Sequence, residues 1–487
     1  MDKLLEIIYD DYFDLGRVFN FATDREYMRL VYELRNIKEE FNIYEFISNY
    51  KDKNITQLLE KIKKGNTDKF FAEKEVLHFV YPFEQTIERF QIIYMTVGGK
   101  MWKDVFKFDY KIFINFLYYI LFRISNYNYY RMTKDHNKKE EYKELFPLSV
   151  NYYFTKEEFY SFFQNDHDSV DNILALLSIE IDEMDCIEDT YRLLKYHDKY
   201  ILYFSWDFIY HSYDLIENRI IDYYRKLGNE EEYYKKRGIE FEKYCFNALG
   251  EVFPKPNLHK NLCYNDNKGN HEIDILLDTN KEIIVFECKS SKFDIHKTTN
   301  DIDLKKDFLK AFGNSFKTLN DFNNYIKGNN IELYSKGSNE KYLFDFDKKN
   351  VIYISITLHN VEYLQTNIQK IDKELFRPVE VYPINWNFID FLTILELIKM
   401  NSKPIFEYIN KRFKMLNENK EITLDVDEID ALGFLTDCQN ERLYKMIINN
   451  EYKVDMTLTI NNGIYRTEIN NLFNKRMFDN MFKKKKV

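Results

Sequence analysis

Glu287-Cys288-Lys289 closes an apolar run, Ile283-Ile284-Val285-Phe286, and a second acidic pair, Glu272-Ile273-Asp274, lies shortly upstream. Side chains alternate along a strand, so Glu287 and Lys289 share one face while Phe286 and Cys288 take the other. Glu272 and Asp274 share a face in the same way. The link Asp278-Thr279-Asn280-Lys281 is short and turn-like, so the two strands, residues 272–277 and 282–289, should form a hairpin. A loop at Thr279-Asn280 sets Asp274 opposite Val285 and diagonal to Glu287, whereas a loop at Asn280-Lys281 sets Asp274 directly opposite Glu287. Either register gathers Asp274, Glu287 and Lys289 on one surface, and only a slip of one residue would separate them. Two carboxylates suit a hard cation such as Mg2+, which takes oxygen ligands and keeps several waters. Such an ion polarises a phosphodiester and acidifies water, and a lysine beside it can attend that water and offset charge building on phosphorus. The chemistry implied is phosphodiester hydrolysis.

Upstream lies Arg237-Gly238-Ile239-Glu240-Phe241-Glu242, where Phe241, Cys245, Ala248, Leu249 and Val252 form a helical apolar stripe. Glu242 falls at the border of that stripe and Glu240 further toward solvent. Gly238, one turn before Glu242, is expected to leave room for close backbone approach. The order R-G-x-x-F-E, then E-x-D, then an apolar E-x-K resembles the PD-(D/E)xK, or restriction-endonuclease-like, phosphodiesterase superfamily over residues 237–358. The resemblance implies that Asp274 and Glu287 hold Mg2+ or Mn2+ with the backbone carbonyl of Cys288. It also implies that Lys289 attends the water and that Glu242 assists. Members often carry a Gln on the following helix, and in Lys310-Ala311-Phe312-Gly313-Asn314-Ser315 the matching place falls on Asn314. Asp274 lacks the preceding Pro. The implied substrate is nucleic acid, DNA by resemblance, and chains that join such a core to extra domains are often associated with defence against phage.

A solvated hairpin would also carry charge at alternate positions, but the nearly continuous run at residues 283–286 suits a strand buried on both faces, where charges need partners or a metal. Glu272 is a supplementary ligand or a strand-edge acid. His271 reads as a structural loop residue. Two pairs, Arg131/His136 and Arg192/His197, resemble the R-x4-6-H signature of HEPN-type ribonucleases, at a frequency that chance alone supplies. A metal-independent ribonuclease is therefore one alternative. A catalytically silent nucleic-acid-binding or scaffold protein with a nuclease-like fold is another, which the intact Asp274, Glu287 and Lys289 set argues against.

These residues must be held by a larger frame. At 487 residues the chain is long for one core. Residues 1–228 show helical stripes, such as Leu4, Ile8, Tyr12, Leu15 and Ile173, Leu176, Leu177, Ile181, and read as a mostly helical N-terminal domain suited to sensing or partner binding. Residues 229–360 follow a helix, strand, strand, helix, strand order: an α/β core with a mixed sheet flanked by helices. In it Phe308, Phe312, Phe316, Leu319, Phe322 and Ile326 line one amphipathic helix. A hairpin (331–334 with 341–346) follows, then a strand at 351–358. Residues 361–487 read as a mainly helical C-terminal extension, with helices at 386–399 and 404–416. The fold class expected is α+β multidomain.

A formal charge of −10 excludes a polycation that coats nucleic acid, so any such site is a local basic surface on an acidic body. Residues 289–327 hold eight Lys and five Asp, a balance of 8 − 5 = +3. Of these, Lys305, Lys306, Lys310 and Lys317 could meet phosphate or simply be a solvated helix face, as the 483–486 lysine run could be a solvated tail. Cys186, Cys245, Cys263, Cys288 and Cys438 show no C-x-x-C spacing, so neither zinc nor a disulfide framework is indicated. No signal peptide is read at the N-terminus, and the apolar run at 112–122 is too short for a span, pointing to a buried helix. A cytoplasmic protein without a membrane partner is expected, with self-association or a protein partner through the N-terminal domain.

Overall fold

The computed structural model describes residues 82–120, 153–180, 192–202, 205–266, 269–291, 309–328, 331–359 and 379–449, apart from gaps of at most three residues, with a few short pieces elsewhere. The Leu4–Leu15 stripe, Arg131, His136, His197, Lys305, Lys306, Phe308 and the lysine run at 483–486 lie outside these residues. Two compact units divide the chain. One holds Val97–Lys226 with Met1–His78, the other Phe79–Thr96 with Leu227–Val487. The helix α1 (Phe83–Phe106) is broken at Gly98, whose φ of 77° is a left-handed value open to glycine.

In the first unit, β1 (Tyr153–Thr155) leads through the capping-box residue Thr155 into α2 (Lys156–Phe162), then α3 (His167–Leu177). Next come β2 (Ser178–Glu180), β3 (Leu193–Tyr196), β4 (Lys199–Leu202) and α4 (Ser205–Lys226). The strands form a sheet in the order β1-β4-β3-β2, which the reading of a mostly helical domain does not include. Strands of three or four residues are too short to show a period of two, and the stripe expected to continue to Ile181 gives way to β2 after Leu177. Residues 110–120 are helical, with Phe113, Phe116, Leu117 and Ile120 buried, as the apolar run implied. Among the described residues no helix is long and apolar enough to cross a membrane.

The second unit is built on a seven-stranded mixed sheet. Its elements are α5 (Glu230–Gly250), β5 (Leu258–Asp266), β6 (Gly269–Asp278), β7 (Glu282–Lys289), α6 (Asn314–Ile326), β8 (Leu333–Ser335), β9 (Lys341–Tyr342), β10 (Asn350–Thr357) and β11 (Ile384–Asn387). After them come α7 (Phe388–Lys399), α8 (Ile405–Glu418) and α9 (Glu428–Thr436). The strand order is β11-β10-β7-β6-β5-β8-β9. β7 is central, antiparallel to β6 and parallel to β10, and its first seven residues are all buried, as a strand covered on both faces must be.

The two faces are covered by different helices. Ile283 and Val285 join Leu319 and Phe322 of α6 in one hydrophobic core with Tyr264, Leu276 and Tyr353. The alternate residue Cys288 faces Cys245 of α5, and Phe241 and Tyr244 of α5 meet Phe388 of α7 at ring separations of 5.6 and 5.2 Å. Burial of Tyr233, Arg237, Phe241, Cys245 and Leu249 gives α5 one inward stripe.

Three features depart from the sequence reading. β5 is an additional strand, unread because Leu258–Asp266 lacks alternation and is interrupted at Asn261, whose φ is +51°. The sheet also continues beyond residue 360, because β11 pairs in parallel with β10. Trp386, expected to begin a helix, is a strand residue, and α7 starts at Phe388 behind Asn387, whose Oδ1 accepts from the Ile389 and Asp390 amides at 2.9 Å.

Candidate active site

The site forms where β6 and β7 part. Their pairing runs from Asp278↔Ile283 to Ile275↔Phe286 and stops. One step further the register sets Asp274 opposite Glu287, the arrangement implied by a loop at Asn280-Lys281. Lys289 O accepts from Leu358 N at 2.9 Å, so Lys289 turns its backbone toward β10 and Cys288 turns its own toward β6. There the ladder has ended, and the Cys288 amide would be stranded. It donates instead to Asp274 Oδ2 at 2.7 Å. The Cys288 carbonyl, expected as a metal ligand, opens toward the same gap.

Glu287 and Lys289 are two residues apart on one face. Lys289 Nζ donates to Glu287 Oε1 at 2.5 Å, while the other oxygen, Oε2, is buried with no hydrogen-bond partner among the described residues. Glu287 is 4% exposed. Burial, then the Asp274 charge, pushes its pKa up to about 8 against the pull of Lys289. Burial also raises Asp274, opposed by Lys289 and by the Cys288 amide. Burial alone would lower Lys289, but Glu287 and Asp274 outweigh it and hold the ammonium well above its ordinary value. Glu242 reaches the same field from α5. Burial, then Asp274, pushes it up to about 7, with Lys289 opposing.

The formal charge of Glu242, Asp274, Glu287 and Lys289 is −3 + 1 = −2, the deficit that a divalent cation neutralises. With Glu287 Oε2 buried and without a partner among the described residues, this fits a hard cation. Among the described residues no three His, Cys, Asp or Glu side chains gather closely enough to hold an ion alone. Asp274 and Glu287 would therefore be joined by the Cys288 carbonyl, water or substrate, as Mg2+ permits.

The remaining site expectations divide. Glu240 lies apart, paired with Lys243 at 3.1 Å. Asn314 is exposed on the first turn of α6, while its neighbour Ser315 is buried and shares a hydrogen bond with Ser355 at 3.0 Å. The buried stripe Ser315, Phe316, Leu319, Phe322 and Asn323 explains this: at about 100° per residue, Asn314 lies nearly opposite its centre. Glu272 pairs with Lys336 at 2.6 Å, and His271 pairs with Asp266 at 2.8 Å, a structural contact. Lys310 and Lys317 are exposed. Arg192 donates to the carbonyls of Leu176 and Ser178 at 3.2 and 2.6 Å, a structural role for one half of a proposed ribonuclease pair. A Cβ on Gly238 would meet only Ser290 Oγ at 3.7 Å, an ordinary contact, so close backbone approach is not what that glycine provides.

Sequence reasoning missed two supports. Arg237, 2% exposed, lies over the rings of Tyr233 and Tyr234 and donates to Ser290 O at 2.6 Å, which holds the chain just after Lys289. Its place one turn before Phe241 in the inward stripe was the available signal. The second is a buried polar layer beside the acids: in register, Glu287, Ser355 and Asn385 lie side by side, as do Lys289, Thr357 and Asn387. No family model matches this chain, and no curated protein matches its sequence.

Proposed function

We propose that this chain is a divalent-cation-dependent nuclease that hydrolyses phosphodiester bonds of DNA. The observation that carries the reading is the Asp274 carboxylate on the Cys288 amide, one register step past the last β6–β7 pair and opposite Glu287, with Lys289 on Glu287 and Glu242 in the same field. Asp274, Glu287 and the Cys288 carbonyl would hold Mg2+ or Mn2+. The bound ion would supply Lewis acidity at the phosphodiester.

The protein's own groups divide the remaining work. Lys289 stays charged near neutral pH, so it serves as a hydrogen-bond donor that offsets charge developing on the phosphate oxygens, not as the base. Glu242, whose affinity for protons is matched to neutral pH, is suited to orient the attacking water and take its proton. Arg237 keeps the end of β7, and so Lys289, in place.

The test is incubation of the purified chain with plasmid and linear DNA, in Mg2+ or Mn2+ and in excess chelator. Cleavage should require the cation, and Asp274→Ala should slow it on the order of 10²-fold or more. Undiminished cleavage in chelator overturns the reading.

A further inference from the structure

We propose that Lys336, carried on the turn between β8 and β9, is a backbone-phosphate contact for the DNA strand that enters the site, and that Glu272 holds it ready until the strand arrives. The inference rests on the nuclease reading and extends it to substrate binding.

Lys336 is anchored by more than a surface ion pair. Its amide donates to Asn261 O at 3.0 Å, which ties the turn to β5. The turn is closed from within by Ser335 N to Glu340 O and Ser338 N to Ser335 O, both 3.1 Å, and Gly337 takes a left-handed φ of 80°. Asn261 is itself left-handed, at +51°. Pairing between β5 and β6 passes from Lys260↔Ile275 to Leu262↔Ile273, so the residue skipped opposite Asn261 is Asp274. A strained residue beside the principal acid thus carries the turn that presents the lysine. Strain of this kind gathers at functional sites, and here its result is the position of Lys336.

The charge geometry agrees. Glu272 and Asp274 are two residues apart on β6, about 6.6 Å along the strand at about 3.3 Å per residue. Lys336 Nζ donates to Glu272 Oε2 at 2.6 Å, and its charge acts on Glu242 and Asp274 as well, so it lies within the field of the site. Phosphates of one strand are spaced about 3.4 Å along a duplex axis. A strand whose scissile phosphate lies at Asp274 therefore brings a phosphate one or two nucleotides away to Lys336. The lysine side chain is 59% exposed and its partner 32%, so the pair is weak enough for a phosphate to take over the ammonium.

The experiment measures binding of a labelled DNA duplex by anisotropy over a range of salt, in the full chain carrying Asp274→Asn to prevent cleavage. Lys336→Ala should weaken binding roughly fivefold and lower the slope of log Kd against log salt by about 1, and Lys336→Glu should weaken it further. Lys348→Ala removes the same charge from the turn before β10, at the other end of the sheet, and should leave affinity and slope unchanged. Equal affinity and slope for Lys336→Ala and Lys348→Ala overturn the proposal, as does a parent that does not bind DNA. If the wild-type chain binds with this lysine dependence yet never cleaves with Mg2+ or Mn2+, the hydrolytic reading fails and the phosphate contact stands. If the wild-type chain cleaves but binding shows no lysine dependence, the phosphate contact fails and the hydrolytic reading stands.

Discussion

Replacing Glu287 with Gln should make the metal-free protein more stable at pH 8 while abolishing cleavage. The folded pKa of Glu287 is about 8, against an ordinary value of 4.5. A carboxyl whose folded pKa is raised contributes stability that is fully present below 4.5 and is lost as pH rises through 8, because the folded state holds the proton that the unfolded state has released. At about 1.36 kcal/mol per pH unit, ionisation costs the fold about 1 kcal/mol at pH 5 and about 4 kcal/mol at pH 8. The attraction of Lys289 is already inside that balance, so the cost is what remains after the ion pair forms. Gln has nearly the shape of the protonated acid and does not titrate.

Melting curves in chelator at pH 5, 6, 7 and 8 test this. Wild type and Glu287→Gln should melt close together at pH 5, with the variant roughly 5–10 °C higher at pH 8. Adding Mg2+ at pH 8 should narrow the gap, since only the chain that holds the cation gains from binding it. A gap that stays flat from pH 5 to 8, or a variant less stable than wild type at pH 8, would refute the reasoning. Either result would mean that Glu287 is well served by partners in the free protein and has no need of a cation.

Two further substitutions separate the roles of neighbouring groups. Lys289→Met keeps the aliphatic stem and removes the charge, so cleavage should fall on the order of 10²-fold while Mg2+ still raises the melting temperature; cleavage at the wild-type rate would place the catalytic cation elsewhere. Glu242→Gln should impair cleavage strongly and Glu240→Gln hardly at all, with circular dichroism confirming that both fold, and the reverse result would mean that α5 presents its other flank.

The centre of the site was legible because two simple periods converge there. The alternation of residues 282–289 separates Glu287 and Lys289 from Phe286 and Cys288, and the short turn at Thr279 limits Asp274 to places near Glu287. For Glu242 the helical stripe alone is an incomplete argument. Adding the buried Tyr233 and Arg237 to the α5 stripe moves its centre back to Phe241, which leaves Glu240 and Glu242 about equally far from it on opposite sides. What separates them is the side on which Asp274 lies, a tertiary fact. At Asn314 the motif spacing meets a helix turn on which the neighbouring Ser315, not Asn314, is buried. The elements that escaped were short or interrupted. β11 has four residues, of which Asn385 and Asn387 are buried and polar, so its pattern looked like neither a solvated nor an apolar strand.

Those polar strand residues bear on why the acids stand where they do. At the open end of β7, sheet pairing no longer satisfies the Cys288 amide on the β6 side, and a buried amide left alone would be costly. Asp274 satisfies it with one oxygen, which fixes the carboxylate in place but does not neutralise it. Across β10 and β11 the same face carries Ser355, Thr357, Asn385 and Asn387, groups that can accept and donate hydrogen bonds but bring no positive charge. Lys289, the ammonium on this face of β7, is already committed to Glu287. The fold thus supplies this corner with ordered dipoles and too little cation, and the acids take up protons near neutral pH as a substitute. A stability optimum would have put a second basic or an apolar side chain there. An arrangement that instead keeps paired carboxylates, buried and two charges short, is suited to capture a divalent ion.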